Sequence, residues 1–318
     1  DEWRPENYSR KSHGPTRLRE ALIHSRNLVS IRLLHSIGIP FALNHIKQFG
    51  FDIEQLPKNL SLALGSAELS PWGLVRGYSV FANGGFLVEP YFINETKTYA
   101  DKIIFRANPL VVCNQCIDIQ KEKSSTEEID TPEEEDGPVS PYRDDSLLNT
   151  IYSPRVVDAK NIWIMNSITQ DVIKYGTGRR ALELQRDDLS GKTGTTNDQH
   201  DAWFSGFNSN IVTVSWVGFD KFKPLGIRET GGRAALPMWI DYMREALKGM
   251  PQSVIQRPKG LVTVRVDSKT GEVTNAENPD AIFEVFRLEN APKSLNKKQQ
   301  SDLLLKDDGA ISIPEQLF

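Results

Sequence analysis

Two adjacent stretches constrain the fold of this sequence more than any other part of it. Residues 189–197 read LSGKTGTTN, and residues 201–207 read DAWFSGF. The first stretch predicts a strand that ends in small and hydroxyl residues, and the aromatic pair of the second is typical of a half-buried strand. The β-branched run over 211–219 predicts a third strand. Three successive strands with short connections indicate an antiparallel meander.

The first of these strands carries groups suited to binding an anion. Lys192 supplies a compact cation, and Thr193 and Thr195 supply hydroxyl groups. Gly194 lacks the side chain that would hold a substrate backbone away from the strand. A second K-T-G lies at 269–271 between alternating apolar residues, a pattern typical of a hairpin turn. We therefore interpret the second copy as structural and the first as a cradle for an extended, anionic ligand.

A polar tripeptide, Ser25-Arg26-Asn27, interrupts two helical patterns near the start of the chain. Apolar residues recur at helical spacing over 16–25 and again over 28–35. A loop held between two packed helices can direct a serine hydroxyl and an asparagine amide into a cleft. Serine and asparagine are also common helix caps, and the two roles can coexist. Because only the first and third positions need to face inward, we predict that Arg26 faces solvent.

The S-x-N and K-T-G tripeptides match two of the three motifs of the penicillin-recognising acyl-serine enzymes. Five further segments make the match closer, and the chain resembles the transpeptidase domain of a bifunctional class A penicillin-binding protein, of the one-A type found in Gram-negative bacteria. The resemblance covers most of residues 1–257. The segments that carry it are WRPENY at 3–8, LGS at 64–66, RGY at 76–78, FANGG at 81–85, and GG at 231–232 ahead of PMW at 237–239.

The resemblance implies an α+β fold of the penicillin-binding transpeptidase and serine β-lactamase type, with an antiparallel sheet covered by helices. It also implies a reaction. A serine attacks the penultimate D-alanyl carbonyl of a peptidoglycan stem peptide, D-alanine leaves, and an amine on a neighbouring stem accepts the acyl group. β-Lactam antibiotics imitate the donor peptide and remain bound as acyl-enzymes.

The resemblance gives each motif residue a role in that reaction. Ser25 relays a proton to the leaving amine, and Lys192 keeps the local potential positive. The backbone N–H of Thr195 is one donor of the oxyanion hole. The substrate-binding positions are Asn27 for the acyl-side amide, Thr193 and Thr195 for the carboxylate, and Gly194 and Thr196 beside them.

One motif of the family is absent from this sequence. The nucleophilic serine and its lysine partner belong to an S-x-x-K followed by proline, upstream of the WRP segment. The S-x-x-K of this chain, from Ser294 to Lys297, lies in a polar tail with no following proline. We predict that Ser294 is not the nucleophile and that the chain is a fragment of a longer enzyme. By resemblance, a membrane anchor and a glycosyltransferase domain precede it, at the periplasmic face of the inner membrane.

Composition excludes several other classes of function. The net charge of −4 includes an acidic run over 127–136, without which the balance is about +3, so nothing favours a nucleic acid partner. No apolar run approaches the roughly 20 residues of a membrane span. Cys113 and Cys116 are too few for a four-ligand zinc site and form either a local disulfide or two thiols. His24, His35 and His45 lie in helical segments, and the sequence offers no matching set of further metal ligands. We therefore expect neither a metal nor a cofactor.

The sequence divides into a main domain and an appended part. We assign residues 1–257 to the transpeptidase domain, with a surface insertion over 107–150, and residues 258–318 to a C-terminal extension. The extension is predicted to contain a hairpin over 262–274 and a polar tail, and to pack on the domain. The expected partners are stem peptides ending in D-Ala-D-Ala, amine acceptors, β-lactams as inhibitors, and cell-wall regulator proteins.

Three alternatives remain at this stage. A class A β-lactamase shares both tripeptides, but the insertion and the extension fit the transpeptidases better. A monofunctional penicillin-binding transpeptidase or carboxypeptidase differs only in sequence that lies upstream. Because the chain lacks the nucleophile, it could also act as a non-catalytic scaffold module.

Overall fold

The computed structural model describes residues 4–113, 150–253 and 255–292. Within these ranges the chain forms six α-helices and three small antiparallel sheets. The helices are α1 (Leu18–Ile23), α2 (Asn27–Ile37), α3 (Ile39–Lys47), α4 (Pro71–Ala82), α5 (Ala159–Tyr175) and α6 (Leu236–Ala246). The strands are β1 (Glu95–Lys97), β2 (Ile103–Arg106), β3 (Ser190–Thr195), β4 (Ala202–Phe207), β5 (Val212–Val217), β6 (Leu261–Asp267) and β7 (Ala281–Arg287).

The central sheet is the predicted meander, in the order β3-β4-β5. Its register places Lys192 opposite Ser205 and Thr195 opposite Ala202. Among the described strands β3 pairs only with β4, so its other edge is not covered by a strand. An open edge presents unpaired N–H and C=O groups that can pair with an extended peptide.

Helices cover both faces of this sheet, as the α+β prediction requires. On one face Phe204 packs edge-on against Trp239 of α6 at 4.9 Å between ring centroids, and Trp239 donates its indole N–H to the carbonyl of Thr213 at 3.2 Å. On the other face Phe207 stacks against Phe81 of α4. Met243 is buried beside Trp239, whereas Tyr242 of the same helix is 55% exposed.

The helix boundaries follow local signals. Pro71 opens α4, and the hydroxyl of Ser70 accepts a hydrogen bond from the N–H of Gly73 at 3.1 Å, which completes the predicted cap. Residues 86–98 do not form one continuous strand. At their start the side chain of Asn83 bonds both the N–H and the carbonyl of Phe86, which holds the chain in a turn. Phe86 makes an isolated bridge with Arg155, and continuous pairing begins at β1.

The C-terminal hairpin differs from the predicted one. β6 pairs along its whole length with β7, and residue 273 makes only an isolated bridge with Val266. The K-T-G at 269–271 lies in a turn, as predicted. Asp267 caps this turn by accepting from the N–H groups of Lys269 and Thr270, and Gly271 adopts a positive φ of 75°. The predicted packing of the extension on the domain is present, through α5 and α1.

The two described ends of the 107–150 insertion lie together, because Val111 bridges Tyr152 and accepts a hydrogen bond from the N–H of Ser153 at 2.9 Å. Cys113 is disulfide-bonded. Cys116, the acidic run and the S-x-x-K that begins at Ser294 lie outside the described residues. Among the residues that are described, no helix is long and apolar enough to cross a membrane, and no group of histidine, cysteine and carboxylate side chains could hold a metal ion.

Candidate active site

The fold brings the two sequence motifs into contact. The ammonium of Lys192 on β3 donates a short hydrogen bond to the hydroxyl of Ser25, which lies 167 positions away in the chain. It donates a second bond to the carbonyl of Thr193 at 3.0 Å. The serine of S-x-N and the lysine of K-T-G therefore form one polar unit beside the edge of the sheet.

Ser25 occupies a strained position at the end of α1. The N–H of Ser25 bonds the carbonyl of Leu22 at 3.2 Å, and the N–H of Arg26 bonds the carbonyl of Ala21 at 2.8 Å. This pair of bonds is the Schellman arrangement, which requires a left-handed residue and usually selects glycine. Ser25 adopts φ of 50° there. A non-glycine residue in this region costs about 1 kcal/mol, so the serine is retained against local preference.

The position of Lys192 changes its acidity. Burial lowers the pKa of Lys192 to about 8, because the charged amine loses hydration and has no carboxylate partner among the described residues. At neutral pH the amine is therefore mostly cationic, but it can release a proton far more readily than a surface lysine. A group with these properties can hold an anion and also support proton transfer through the hydroxyl that it touches.

Two threonine hydroxyls lie along the same strand, each with a defined partner. The hydroxyl of Thr193 shares a hydrogen bond with the hydroxyl of Thr177 at 2.7 Å. The hydroxyl oxygen of Thr195 accepts from the N–H of Gly231 at 2.9 Å, which leaves its own proton free to donate. Sequence reasoning did not assign Thr177 to the site. The available signal was its place in G-T-G at 176–178, directly after α5.

The backbone of Thr195 faces the open edge of the sheet. The N–H of Thr196 bonds the carbonyl of Asp201 at 3.1 Å, towards β4. Successive N–H groups of a strand point in opposite directions, so the N–H of Thr195 points away from β4. It is thus available to a ligand that lies along β3.

Two glycines allow the strands and the start of α6 to approach closely. A Cβ on Gly231 would collide with the carbonyls of Trp203 and Gly194, and a Cβ on Gly194 would lie 3.1 Å from the Cβ of Trp203. Gly194 is therefore needed by the protein's own packing as well as by a ligand. Gly231 is a site residue through its N–H, although the sequence indicated it only as part of a family segment.

The asparagine of S-x-N is held by the N-terminal segment. The amide nitrogen of Asn27 donates to the carbonyl of Glu6 at 2.9 Å. Nearby Asn7 is buried, accepts from the N–H of Leu28 at 3.2 Å, and donates to the carbonyl of Lys11 at 2.8 Å. One N–H of the Asn27 amide is thus used within the protein, and its side-chain oxygen is available to a ligand.

Two expectations need revision. Thr196 was expected to bind substrate, but its hydroxyl accepts from the N–H of Asp201 at 2.8 Å and donates to the carbonyl of Asp201 at 3.4 Å, so it closes the turn between β3 and β4. Arg26 was expected to face solvent. It is instead half-buried, contacts His13, and has a guanidinium Nε that is fully buried without a hydrogen-bond partner in the described chain.

Fold and site indicate a protein of the penicillin-binding transpeptidase class, and comparison with known families gives the same class. The penicillin-binding protein transpeptidase domain matches residues 1–221. This is more than half of the chain, and the chain belongs to that family. The fold class expected from the sequence is thereby confirmed.

Two similar curated proteins share a name. The chain is 45% identical over 308 residues to penicillin-binding protein 1A of Pseudomonas aeruginosa, with 93% of this chain and 37% of that protein covered. It is 36% identical over 305 residues to penicillin-binding protein 1A of Vibrio cholerae, with 91% and 36% covered. The chain thus spans little more than a third of the length of these relatives.

Solved structures of penicillin-binding proteins also resemble this chain. The chain resembles penicillin-binding protein 1A from Haemophilus influenzae at 34% identity and a TM-score of 0.78, covering 92% of this chain and 43% of that one. It resembles the penicillin-binding protein PonA1 from Mycobacterium tuberculosis at 19% identity and a TM-score of 0.60, covering 88% and 67%. At 19% identity the second likeness concerns the fold alone.

Proposed function

We propose that the full-length protein is a peptidoglycan D,D-transpeptidase that β-lactams acylate. The observation that carries the proposal is the contact between Lys192 and Ser25 beside the open edge of β3, where threonine hydroxyls are also available. Relatives named penicillin-binding protein 1A support it. Because the chain covers little more than a third of those relatives, the activity is proposed for the whole protein.

The nucleophile in this proposal is a serine outside the 318 residues, in an S-x-x-K segment of the full-length protein. Its oxygen forms an ester with the penultimate D-alanyl carbonyl carbon, the peptide bond to D-alanine breaks, and the leaving nitrogen takes a proton through Ser25. An amine of a second stem peptide then attacks the ester. A peptide bond forms, the ester breaks, and the amine's proton returns through Ser25 to the serine oxygen.

Each residue of the site has a part in these steps. The mostly cationic Lys192 attracts the terminal carboxylate of the donor, and Thr195 donates its hydroxyl proton to that carboxylate. Thr193, linked to Thr177, supplies a second hydroxyl. The outward N–H of Thr195 stabilises the oxyanion, and loss of one such donor typically costs about 2.7 to 4 kcal/mol in the transition state. The side-chain oxygen of Asn27 accepts from the acyl-side amide.

The family gives the wider setting of the proposal. Residues 1–257 are the transpeptidase portion with its insertion over 107–150, and residues 258–318 are an extension. A glycosyltransferase domain and a membrane anchor in the rest of the protein would place this portion at the periplasmic face of the inner membrane. The substrates there are stem peptides ending in D-Ala-D-Ala and their amine acceptors.

Covalent labelling with a fluorescent penicillin tests the proposal. We expect the full-length protein to be labelled and this chain alone to remain unlabelled. Lys192→Ala should slow labelling by orders of magnitude, while Lys269→Ala, the matched change in the second K-T-G, should leave it unchanged. Labelling of this chain alone would refute an external nucleophile, and equal rates for the two variants would refute the role of Lys192.

Transfer to an amine separates a transpeptidase from a carboxypeptidase. A transpeptidase releases D-alanine and forms a cross-linked product when an amine acceptor is added. A carboxypeptidase releases D-alanine into water with no product that depends on the acceptor. We expect the cross-linked product, detected by mass spectrometry.

A further inference from the structure

A cluster of basic side chains surrounds the middle residue of the S-x-N tripeptide. Arg26 contacts His13, and its Nε is buried without a hydrogen-bond partner in the described chain. Burial lowers the pKa of His13, and so do the nearby charges of Arg26, Lys11 and His24. We call Lys11, His13, His24 and Arg26 the basic cluster.

No carboxylate of the described chain forms an ion pair with Arg26 or Lys11. Glu20, the acidic residue beside the cluster, is already bound by Arg17 at 3.0 Å and by His24 at 3.3 Å. Positive groups held close together repel each other, and a buried guanidinium nitrogen without a partner is costly. Both costs would be relieved by an anion from outside the chain.

A surface cavity of about 350 Å³ lies against this cluster. Its walls come from the start and end of α1 and from the turn of the C-terminal hairpin, and they consist of Pro15, Thr16, Arg17, Glu20, His24, Arg26 and Ser268. The volume is in the range of sites that hold small ligands. His24 and Arg26 are the chain neighbours of Ser25, so the cavity begins immediately beside the proposed proton relay.

The structure therefore has two groups of basic side chains next to Ser25. Lys192 contacts Ser25 and, with the threonines of β3, already serves the donor carboxylate in the proposed reaction. The basic cluster and its cavity lie at His24 and Arg26, the chain neighbours of Ser25. The second stem peptide in a cross-linking reaction must bring an amine to the acyl-serine, and it carries carboxylates of its own.

We propose that the basic cavity formed by Arg26, His24 and the Ser268 turn binds a carboxylate of the acceptor stem peptide and so guides its amine to the acyl-enzyme. This inference rests on the proposed transpeptidase function. It assigns Arg26 a role in choosing the acceptor, separate from acylation by the donor. It also gives the C-terminal hairpin a part in the site, because Ser268 closes one wall.

The test compares two acceptor peptides in the full-length enzyme, identical except that one has free carboxylates and the other is fully amidated at those carboxylates. Arg26→Ala should raise the KM for the free-carboxylate acceptor about tenfold or more, because a hydrogen bond to a charged group is lost. The KM for the amidated acceptor and the rate of penicillin acylation should change less than about twofold. Arg26→Lys, which keeps the charge, should recover most of the affinity.

A matched control removes an arginine elsewhere on the surface. Arg180 pairs with Glu183 at 3.1 Å, away from the cavity, and Arg180→Ala should change neither acceptor's KM. Added salt should raise the wild-type KM for the free-carboxylate acceptor and leave the amidated one unaffected.

Three results would overturn the inference. Arg26→Ala could affect both acceptors equally, it could affect neither, or it could abolish penicillin acylation in a folded protein, which would place Arg26 in the donor machinery. Failure of the proposed function looks different, because the wild-type enzyme would then show neither acylation nor transfer to either acceptor.

Discussion

Arg19 of α1 is bound by Glu284 of β7, with 2.9 Å from Nε to Oε1 and 2.7 Å from Nη2 to Oε1. Arg19 also donates to Asp171 of α5 at 2.7 Å. Burial opposes the charge, but the bonds to Glu284 and Asp171 prevail and raise the pKa of Arg19. The ion pair between Arg19 and Glu284 thus holds the C-terminal hairpin against α1, the short helix that precedes Ser25.

Removing Glu284 tests how much this attachment stabilises the fold. Glu284→Gln leaves the largely buried Arg19 with one carboxylate partner in place of two. We expect the free energy of unfolding to fall by about 2 kcal/mol. This loss is smaller than that for a fully buried pair, because the bond from Arg19 to Asp171 remains. Asp280→Asn in the same hairpin is the control, because its pair with Lys269 is exposed to solvent and should contribute little to stability. Urea unfolding measures both, and equal losses would contradict the expectation.

The backbone at Ser25 gives a second prediction. Ser25→Gly and Ser25→Ala both remove the hydroxyl, so both should lose penicillin acylation in the full-length protein. Their stabilities should differ. Glycine fits the left-handed conformation and alanine does not, and the glycine variant should be more stable by about 1 kcal/mol. Denaturant unfolding of the two variants checks this, and equal stabilities would show that Ser25 carries no backbone strain.

The lowered pKa of Lys192 predicts a pH dependence. Below pH 8 the amine is charged and attracts the carboxylate of the donor, so acylation should decline as pH rises through about 8. In Lys192→Arg the charge persists to higher pH, and any remaining activity should lack this decline. Rates of acylation by a penicillin between pH 6 and 10 measure it. A profile that rises through pH 8 would indicate that the neutral amine is the active form.

The lowered pKa of Lys192 also makes the stability of the fold depend on pH. The unfolded chain holds a proton on Lys192 up to its ordinary pKa of 10.5, whereas the folded chain releases it near 8. Between these values the unfolded state binds more protons, so this group's contribution to stability rises with pH. The stability of the wild type relative to Lys192→Met should therefore increase from pH 8 to pH 10.

Thr195, the last residue of β3, and Thr196, which follows it, should have different roles. Thr195→Val removes a hydroxyl proton that is free for a ligand, and acylation should fall by about tenfold or more. Thr196→Val removes the acceptor for the N–H of Asp201, which should cost about 1 kcal/mol of stability and leave acylation near normal. Acylation rates and unfolding curves for the pair test this, and a reversed pattern would restore Thr196 as a substrate contact.

Because Gly231 is closely packed, replacing it should lower both the stability of the fold and the rate of acylation. Gly231→Ala forces a methyl group against the backbones of β3 and β4, which should cost about 1 to 3 kcal/mol and displace the N–H that bonds Thr195. Gly73→Ala is the control, because its Cβ would meet Ser70 at an ordinary 3.5 Å and a helical alanine is favourable. Normal acylation in Gly231→Ala would show that this contact does not position the threonine.

Local patterns in the sequence determined the elements of the fold and the identity of the motif residues. The meander, the capped α4 and the turn at the second K-T-G all follow from side-chain alternation and capping, which act over a few residues. Tertiary structure decided which strand pairs with β6, because the apolar face of residues 281–287 competes for it with the nearer residue 273. Such a choice depends on packing over the whole hairpin.

The candidate site likewise depends partly on residue type, which the sequence gives, and partly on tertiary structure. Lys192 and Ser25 could be selected by type and motif, but only the packing of α5 against both α1 and β3 brings them within hydrogen-bond distance and removes water from the lysine. The hydroxyl of Thr196 was assigned to a ligand because sequence does not show where a side chain points, and the turn to Asp201 uses it instead. Arg26 is similar, since its buried position depends on His13 from a preceding segment. Burial and orientation are long-range properties, and they decide which of the chemically suitable residues can act.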